Sequence, residues 1–168
     1  CLMNQNGELV YGKERTGDAA QSIHSNIYKS RPDINAVAHA HPMYGKTFST
    51  LNKELKPITQ DSCAFYKRTA TFTDYDGVAN GPDEGINIAK ALADKDFLIL
   101  QNHGILTTGT MVETTLWYFL NMEEACKSQL LAEAVGEPIV IPEKVAIHTR
   151  DYVCLLYTSD AADEGFCV

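Results

Sequence analysis

The sequence predicts an α/β domain, because segments with the pattern of strands alternate with segments with the pattern of helices. Three observations support this prediction. Residues 36–42 alternate alanine with valine and histidine, as expected for a strand, and the flat alanine face would let a helix pack closely behind it. Residues 97–101 contain a continuous apolar run of the length of a buried strand, and residues 111–135 have apolar side chains at helical spacing.

Length, charge and cysteine usage limit the possible classes of protein. The chain has 168 residues, which is enough for one domain with a hydrophobic core. Its formal net charge of −8 is unlike that of a protein that binds nucleic acid. No apolar run reaches the roughly 18 residues that a membrane-spanning helix needs. Five cysteines without CxxC spacing indicate reduced thiols. We therefore expect a cytoplasmic protein that binds neither nucleic acid nor a membrane.

The first part of the chain is predicted to form a hairpin, a helix and a strand. Asn6-Gly7 is a strong turn signal, so residues 1–12 should pair as a hairpin. Asp18 is the expected N-cap of a helix that ends before Pro32. The strand at residues 36–42 follows, and Pro42 ends it. Because the chain begins without methionine and in mid-pattern, we expect an N-terminally truncated fragment.

The middle of the chain gives weaker signals. Residues 43–51 are predicted to form a helix and residues 57–60 a short strand, whereas residues 61–66 have a mixed pattern. Residues 69–73 are rich in strand-forming side chains. A loop is expected from residue 75, and the next helix should begin with acidic side chains and bury one face formed by Ile86, Ile88, Ala89 and Leu92.

The last predicted elements are a strand and a long helix. Residues 105–109 should pair antiparallel with the strand at residues 97–101. The helix at residues 111–135 is ended by Gly136, and its predicted apolar stripe consists of Val112, Leu116, Phe119, Cys126 and Leu130. Trp117 and Tyr118 lie off this stripe, and the sequence leaves open whether they form a second core face or an oligomer contact.

Three histidines form a candidate metal site. Because side chains alternate along a strand, His39 and His41 lie on one face with backbones roughly 7 Å apart. His103 follows directly on the buried strand, and Gly104 after it permits a backbone conformation that larger residues resist. Three protein ligands and an open position are typical of catalytic zinc. We predict that these histidines bind one divalent metal, with Zn²⁺ preferred, and that His24 is a packed or capping residue of its helix.

Three motifs resemble those of the class II aldolase/adducin family: residues 23–33, Ala36-Val37-Ala38-His39-Ala40-His41, and Gln101-Asn102-His103-Gly104. The likeness runs from about Gly7 to Gly136. It implies a three-layer α/β/α domain with a mixed, largely antiparallel central sheet. Enzymes of this family cleave or epimerise small sugar phosphates at a divalent metal, usually zinc, and are typically tetramers with active sites between subunits. By this resemblance His39, His41 and His103 fall on the metal ligands.

The sequence departs from the aldolases of this family around the catalytic base. Their glutamate four residues before the helix histidine corresponds to Ala20, and their two phosphate-binding serines correspond to Asp18 and Ala19. A carboxylate beside a phosphate is repulsive, so phosphate binding is not expected here. Asp61 lies close to the position of the aldolases' tyrosine proton donor and is the candidate acid–base residue, although a solvated turn residue explains it equally well.

Two functions remain open from the sequence. The first is a metal-dependent lyase-type enzyme that carries out aldol cleavage or related chemistry on a small hydroxy-carbonyl compound. The second is a non-catalytic module like adducin, whose branch of the family also lacks the glutamate and associates with the actin cytoskeleton. The three histidines favour the enzyme, whereas Ala20 favours the module. In both cases we expect a homo-oligomer, with a tetramer implied by the resemblance.

The last fifteen residues are expected to lie outside the domain. Residues 154–164 are similar, residue for residue, to one translated frame of the transposase adaptor used in preparing sequencing libraries. The sequence therefore predicts a domain at residues 1–153, followed by an adaptor-derived segment at residues 154–168.

Deletion of residues 154–168 should change the melting temperature by no more than about 2 °C, because such a segment was not selected to pack against the domain. Thermal unfolding of the parent and the shortened chain measures this. A fall of about 5 °C or more would contradict the prediction.

Overall fold

The computed structural model describes residues 1–13, 17–74 and 82–158, except for the side chains of Pro82 and of residues 154–158. In chain order the elements are β1 (Leu2–Met3), β2 (Leu9–Tyr11), α1 (Asp18–Ser30), β3 (Ala36–Ala40), α2 (Met43–Ser49), a 3₁₀ helix (Asp61–Phe65), β4 (Thr69–Phe72), α3 (Pro82–Leu92), β5 (Phe97–Leu100), β6 (Gly104–Gly109), α4 (Val112–Val135) and α5 (Glu143–Thr158). β1 and β2 form the predicted hairpin. The predicted loop at residues 75–81 lies outside the described residues.

A four-stranded sheet forms the centre of the described part of the chain. Its strands lie in the order β3-β6-β5-β4. β6 is antiparallel to both of its neighbours, whereas β4 and β5 are parallel. The mixed, largely antiparallel sheet is therefore confirmed, as is the antiparallel pairing of the strands on either side of His103.

Helices cover both faces of this sheet, and β5 shows how the layers divide. Leu98 and Leu100 pack against buried residues of α1 and α3, whereas Phe97 and Ile99 pack against α2 and α4. All four side chains are almost fully buried, which explains why β5 is a continuous apolar run without alternation. The three-layer α/β/α arrangement is confirmed.

The apolar stripe predicted along α4 is wrong in its first half. Val112 and Leu116 are 67% and 51% exposed, while the buried residues near them are Thr114, Thr115 and Tyr118. Tyr118 packs against Phe97 with ring centroids 4.9 Å apart, so it belongs to the core. The hydroxyl groups of buried threonines form hydrogen bonds with nearby backbone, as when Thr115 donates to the Met111 carbonyl. A pattern of apolar side chains does not reveal such buried polar positions.

Several local predictions also fail. Gly17, not Asp18, is the N-cap of α1. Residues 57–60 are not a strand, because the backbone N–H groups of Ile58 and Thr59 donate to the Ser62 hydroxyl in a turn before the 3₁₀ helix. Ile86 is 39% exposed and does not belong to the buried face of α3.

α5 was not predicted. It continues to Thr158, past the expected domain boundary, and buries Ala146 and Val153. Among the described residues, no helix is both long and apolar enough to cross a membrane.

The junction of β3 and β6 depends on the absence of a side chain at Gly104. A Cβ atom there would lie 2.5 Å from the Ala40 carbonyl oxygen and 3.1 Å from Cδ2 of His41. The residue with positive φ in this turn is Asn102, at +57°, and not Gly104. Glycine is therefore needed at this position because the two strands approach closely. The expectation that Gly104 is needed for an unusual backbone conformation is wrong.

Substitution Gly104→Ala should lower the melting temperature by roughly 2–12 °C. Overpacking costs about 1–3 kcal/mol, and each kcal/mol corresponds to roughly 2–4 °C in a domain of this size. Thermal unfolding followed by circular dichroism measures the change.

Gly136→Ala is the matched control. A Cβ there meets no described heavy atom within 4 Å, and its φ of 173° is extended backbone. Its melting temperature should be unchanged or slightly higher. Equal melting temperatures for Gly104→Ala and the parent would contradict the close-approach explanation.

Candidate metal centre

The candidate site lies where β3 ends and the chain turns from β5 into β6. In the β3–β6 register Ala40 lies opposite Ile105 and His39 opposite Leu106. This register places the end of β3 directly beside the turn that carries His103. His39 is the fourth residue of β3, and His41 follows its last residue. The sheet therefore brings together side chains that are more than sixty residues apart in the chain.

The three predicted histidines converge at this junction. One potential ligand atom of each lies within 4.8 Å of those of the other two. Their ring centroids are 4.5–5.2 Å apart. His39 and His103 are half-buried, and His41 is exposed. Within the described part of the chain, no carboxylate or thiol belongs to this group, so its donors are three ring nitrogens.

A hydrogen bond fixes the tautomer of His39. Its Nδ1 lies 2.9 Å from the carbonyl oxygen of Ile105. A carbonyl oxygen can only accept, so Nδ1 carries the proton and donates. The unprotonated nitrogen of the neutral ring is then Nε2, which is available to a metal. Orientation of a ligating imidazole by a backbone carbonyl is a common feature of metal sites.

Burial keeps the half-buried histidines neutral. It lowers the pKa of His39 to about 4, and the neighbouring imidazoles act in the same direction, although the hydrogen bond to Ile105 opposes them. Burial also lowers the pKa of His103, with a contribution from His41. Metal ligation requires neutral imidazole, so at neutral pH neither His39 nor His103 must first lose a proton.

The donor set fits a divalent transition metal. Imidazole suits zinc, copper, iron and nickel, whereas magnesium and calcium prefer oxygen ligands. Three protein ligands beside an open position are the arrangement of catalytic zinc sites. His39, His41 and His103 would hold such an ion, and the exposed side of His41 borders solvent.

His24 lies near this group without belonging to it. It is half-buried on α1, and burial lowers its pKa. Its charge, when present, would lower the pKa of His39, which indicates proximity. The prediction that His24 is a packed or capping residue of its helix agrees with these observations.

The residues at the positions of the expected catalytic machinery lie on α1 and on the 3₁₀ helix. Ala20 is exposed in the first turn of α1, beside Asp18 and Ala19. Asp61 is the exposed first residue of the 3₁₀ helix and is not in the histidine group. Its acid–base role therefore stays a prediction.

Glu123 is a further residue near the centre that no sequence motif singles out. Its carboxylate oxygens accept hydrogen bonds from the backbone N–H groups of Tyr44 and Gly45, in the first turn of α2. α2 begins two residues after His41. The available signal was indirect: Pro42 precedes α2 and has no polar side chain, so the first N–H groups of α2 need another acceptor.

Comparison with known proteins places this geometry in a family. Residues 1–130 match the family model described as Class II Aldolase and Adducin N-terminal domain. Decarboxylase NovR of Streptomyces niveus is 40% identical over 139 residues, covering 83% of this chain and 52% of the relative. The 4-hydroxy-3-prenylphenylpyruvate oxygenase/4-hydroxy-3-prenylbenzoate synthase of Streptomyces roseochromogenus subsp. oscitans is also 40% identical, covering 83% and 50%. The chain spans about half the length of these relatives.

A solved structure shares the fold and much of the sequence. L-fuculose 1-phosphate aldolase from Glaciozyma antarctica PI12 superposes with a TM-score of 0.80 at 41% identity, covering 89% of this chain and 58% of that one. The fold, the match over residues 1–130 and the similarity to these relatives agree. This chain belongs to the class II aldolase/adducin family.

Proposed function

We propose that this chain forms the metal-binding part of a lyase-type enzyme that acts on a small hydroxy-carbonyl compound. The observation that carries the proposal is the convergence of His39, His41 and His103, with ligand atoms within 4.8 Å of one another. Zn²⁺ is the proposed ion. A relative named decarboxylase and a structural neighbour named aldolase support chemistry in which a carbon–carbon bond breaks next to a carbonyl group.

Each residue of the proposed centre would have a separate role. A bound ion would supply Lewis acidity that polarises a carbonyl and stabilises negative charge on its oxygen. His39 is oriented through Ile105, and neutral His103 completes the inner side of the centre. His41 is exposed, so a substrate would approach from its side. We keep Asp61 as the proposed acid–base residue of the assembled protein.

Ala20 favours decarboxylation over aldol cleavage within this proposal. Aldol cleavage begins when a base removes a hydroxyl proton, and Ala20 provides no such base. A hydroxy-carbonyl compound that is also a 3-oxo acid is already ionised at neutral pH, and loss of CO₂ passes the bonding electron pair to the carbonyl without prior proton removal. The carbon that lost CO₂ then takes a proton from a general acid or water. The relative named decarboxylase agrees with this preference.

The second candidate function is a non-catalytic, adducin-like interaction module. Ala20 is the observation that favours it, because the residue at the base position has no ionisable group. In that case the partner would be the actin cytoskeleton. As an enzyme or as a module, we propose a cytoplasmic homo-oligomer, with a tetramer suggested by the family resemblance.

Substitution His41→Ala should abolish stoichiometric metal binding. The parent chain, incubated with Zn²⁺ and then dialysed, should retain about one ion per chain, because three ligands hold it. The variant retains two ligands and should lose most of the metal. Elemental analysis by mass spectrometry measures the content.

His148→Ala is the control for this experiment, since His148 is exposed on α5 and outside the group. Its metal content should equal that of the parent. Equal metal content in His41→Ala and the parent would refute the ligand assignment and favour the non-catalytic module.

The chain should not cleave L-fuculose 1-phosphate at a measurable rate. General base catalysis typically contributes about 10²–10⁴-fold, and no base stands at Ala20. Ala20→Glu should give weak cleavage at most, because Asp18 still repels the phosphate group. A coupled assay for the aldehyde product measures both proteins.

Ala20→Gln matches Ala20→Glu in size without its charge, so activity in both variants could not be ascribed to a restored base. Cleavage by the parent with the efficiency of an ordinary aldolase would mean that another residue, Asp61 first, supplies the base.

A further inference from the structure

We propose that Glu123 on α4 is a positioning residue for the histidine centre, because it anchors α2, the short helix that joins the segments carrying His41 and His103. This inference rests on the proposed metal-binding function. Glu123 does not belong to the histidine group and would act only through α2.

α2 connects the two ligand-bearing segments directly. At its start, Met43 follows His41 with only Pro42 between them. At its end, the carbonyl oxygen of Ser49 accepts a hydrogen bond of 3.0 Å from the backbone N–H of Asn102, the residue before His103. A change in the position of α2 would therefore act on both His41 and the turn that carries His103.

α2 also touches the residue that orients His39. Gly45 packs so closely on β6 that a Cβ atom there would lie 2.9 Å from Cγ2 of Ile105. The carbonyl oxygen of Ile105 is the acceptor for Nδ1 of His39. All three histidines are thus linked to α2: His41 through the chain, His103 through Asn102, and His39 through Ile105.

Glu123 provides the acceptors that the start of α2 lacks. The first N–H groups of a helix have no partner within it, and Pro42 at the N-cap has no side-chain acceptor. One carboxylate oxygen of Glu123 accepts from Tyr44 at 2.8 Å and the other from Gly45 at 2.5 Å. Hydrogen bonds to an ionised acceptor are stronger than neutral ones, and negative charge is favourable at a helix N-terminus.

The half-buried position of Glu123 strengthens this anchor, because water competes less for a partly buried carboxylate. The two hydrogen bonds hold both oxygens, so the carboxylate fixes the rotation as well as the position of the first turn of α2. α4 packs against the core through Tyr118, Met122 and Cys126, and it therefore provides a rigid support for Glu123.

The test compares Glu123→Gln and Glu123→Asp with the control Glu124→Gln. Glutamine directs an amide NH₂ at one of the two backbone N–H groups, so at least one hydrogen bond is lost. Aspartate keeps the charge but reaches one methylene less. Glu124→Gln removes the same charge from the neighbouring, exposed residue, which pairs with Lys127 on its own helix.

Two readouts separate positioning from stability. The first is the dissociation constant for Zn²⁺ alone, measured by competition with a chromogenic chelator at a temperature where circular dichroism shows each variant folded. The second is the visible absorption spectrum of the Co²⁺ form, which reports coordination geometry. Neither quantity changes if Glu123 only stabilises the fold.

We expect Glu123→Gln to weaken Zn²⁺ binding by about 10–100-fold, the usual effect of removing groups that support metal ligands, and to alter the Co²⁺ spectrum. Glu123→Asp should give a smaller loss, and Glu124→Gln should bind within twofold of the parent. If Glu123→Gln does not fold, the Zn²⁺ affinity of Glu123→Asp is the test: weaker binding than in the parent supports the positioning role, and equal binding overturns it.

If Glu123→Gln has the Zn²⁺ affinity and the Co²⁺ spectrum of the parent, the positioning role is overturned and the metal site remains in place. This conclusion would hold even if the melting temperature of the variant fell. Absence of Zn²⁺ binding by the parent would overturn the metal site and this inference together. The two failures are therefore distinguishable.

Discussion

The antiparallel pairing of β3 with β6 is the interaction on which the histidine centre depends. It places Ala40 opposite Ile105, so the end of the strand with two histidines meets the turn with the third. Because side chains alternate along a strand, a slip of one residue would move His39 to the opposite face of the sheet. The contact between Gly104 and the Ala40 carbonyl helps to exclude such a slip, since only a residue without Cβ fits there. The strand register and the geometry of the histidine group are thus set by the same backbone contacts.

The order of most elements and the identity of the three histidines could be predicted from the sequence because local patterns encode both, whereas the mixed sheet was implied by the family resemblance. His39 and His41 share a face by alternation, and His103 is placed by the apolar run of β5 before it. The buried face of α4 could not be predicted in the same way. Its threonines and Gln129 are buried because they find hydrogen-bond partners, as when Gln129 bonds to the backbone of Glu54 and Lys56. Such partners are distant in sequence and invisible to an apolar pattern.

Glu123 illustrates the same limit for the candidate site. It lies 78 and 79 residues from the backbone groups that it caps, and nothing in its neighbourhood on α4 distinguishes it from Glu124. The need for glycine at position 104 was predicted, but for the wrong reason, because steric contact between two strands depends on their packing and not on local conformation. What the sequence encodes locally is therefore the identity of the candidate ligands. Their support is a property of the tertiary structure.

A donor set made only of imidazole nitrogens has a consequence for metal loading in the cell. Affinities of such sites for divalent ions follow the Irving–Williams series, in which Cu²⁺ binds more tightly than Zn²⁺. Within the described residues, the group contains neither an oxygen nor a sulfur ligand that would alter this order. If zinc occupies the centre, it does so because free copper is kept scarce where the protein folds. The availability of metal ions in that compartment, and not the preference of the three histidines, then determines which ion binds.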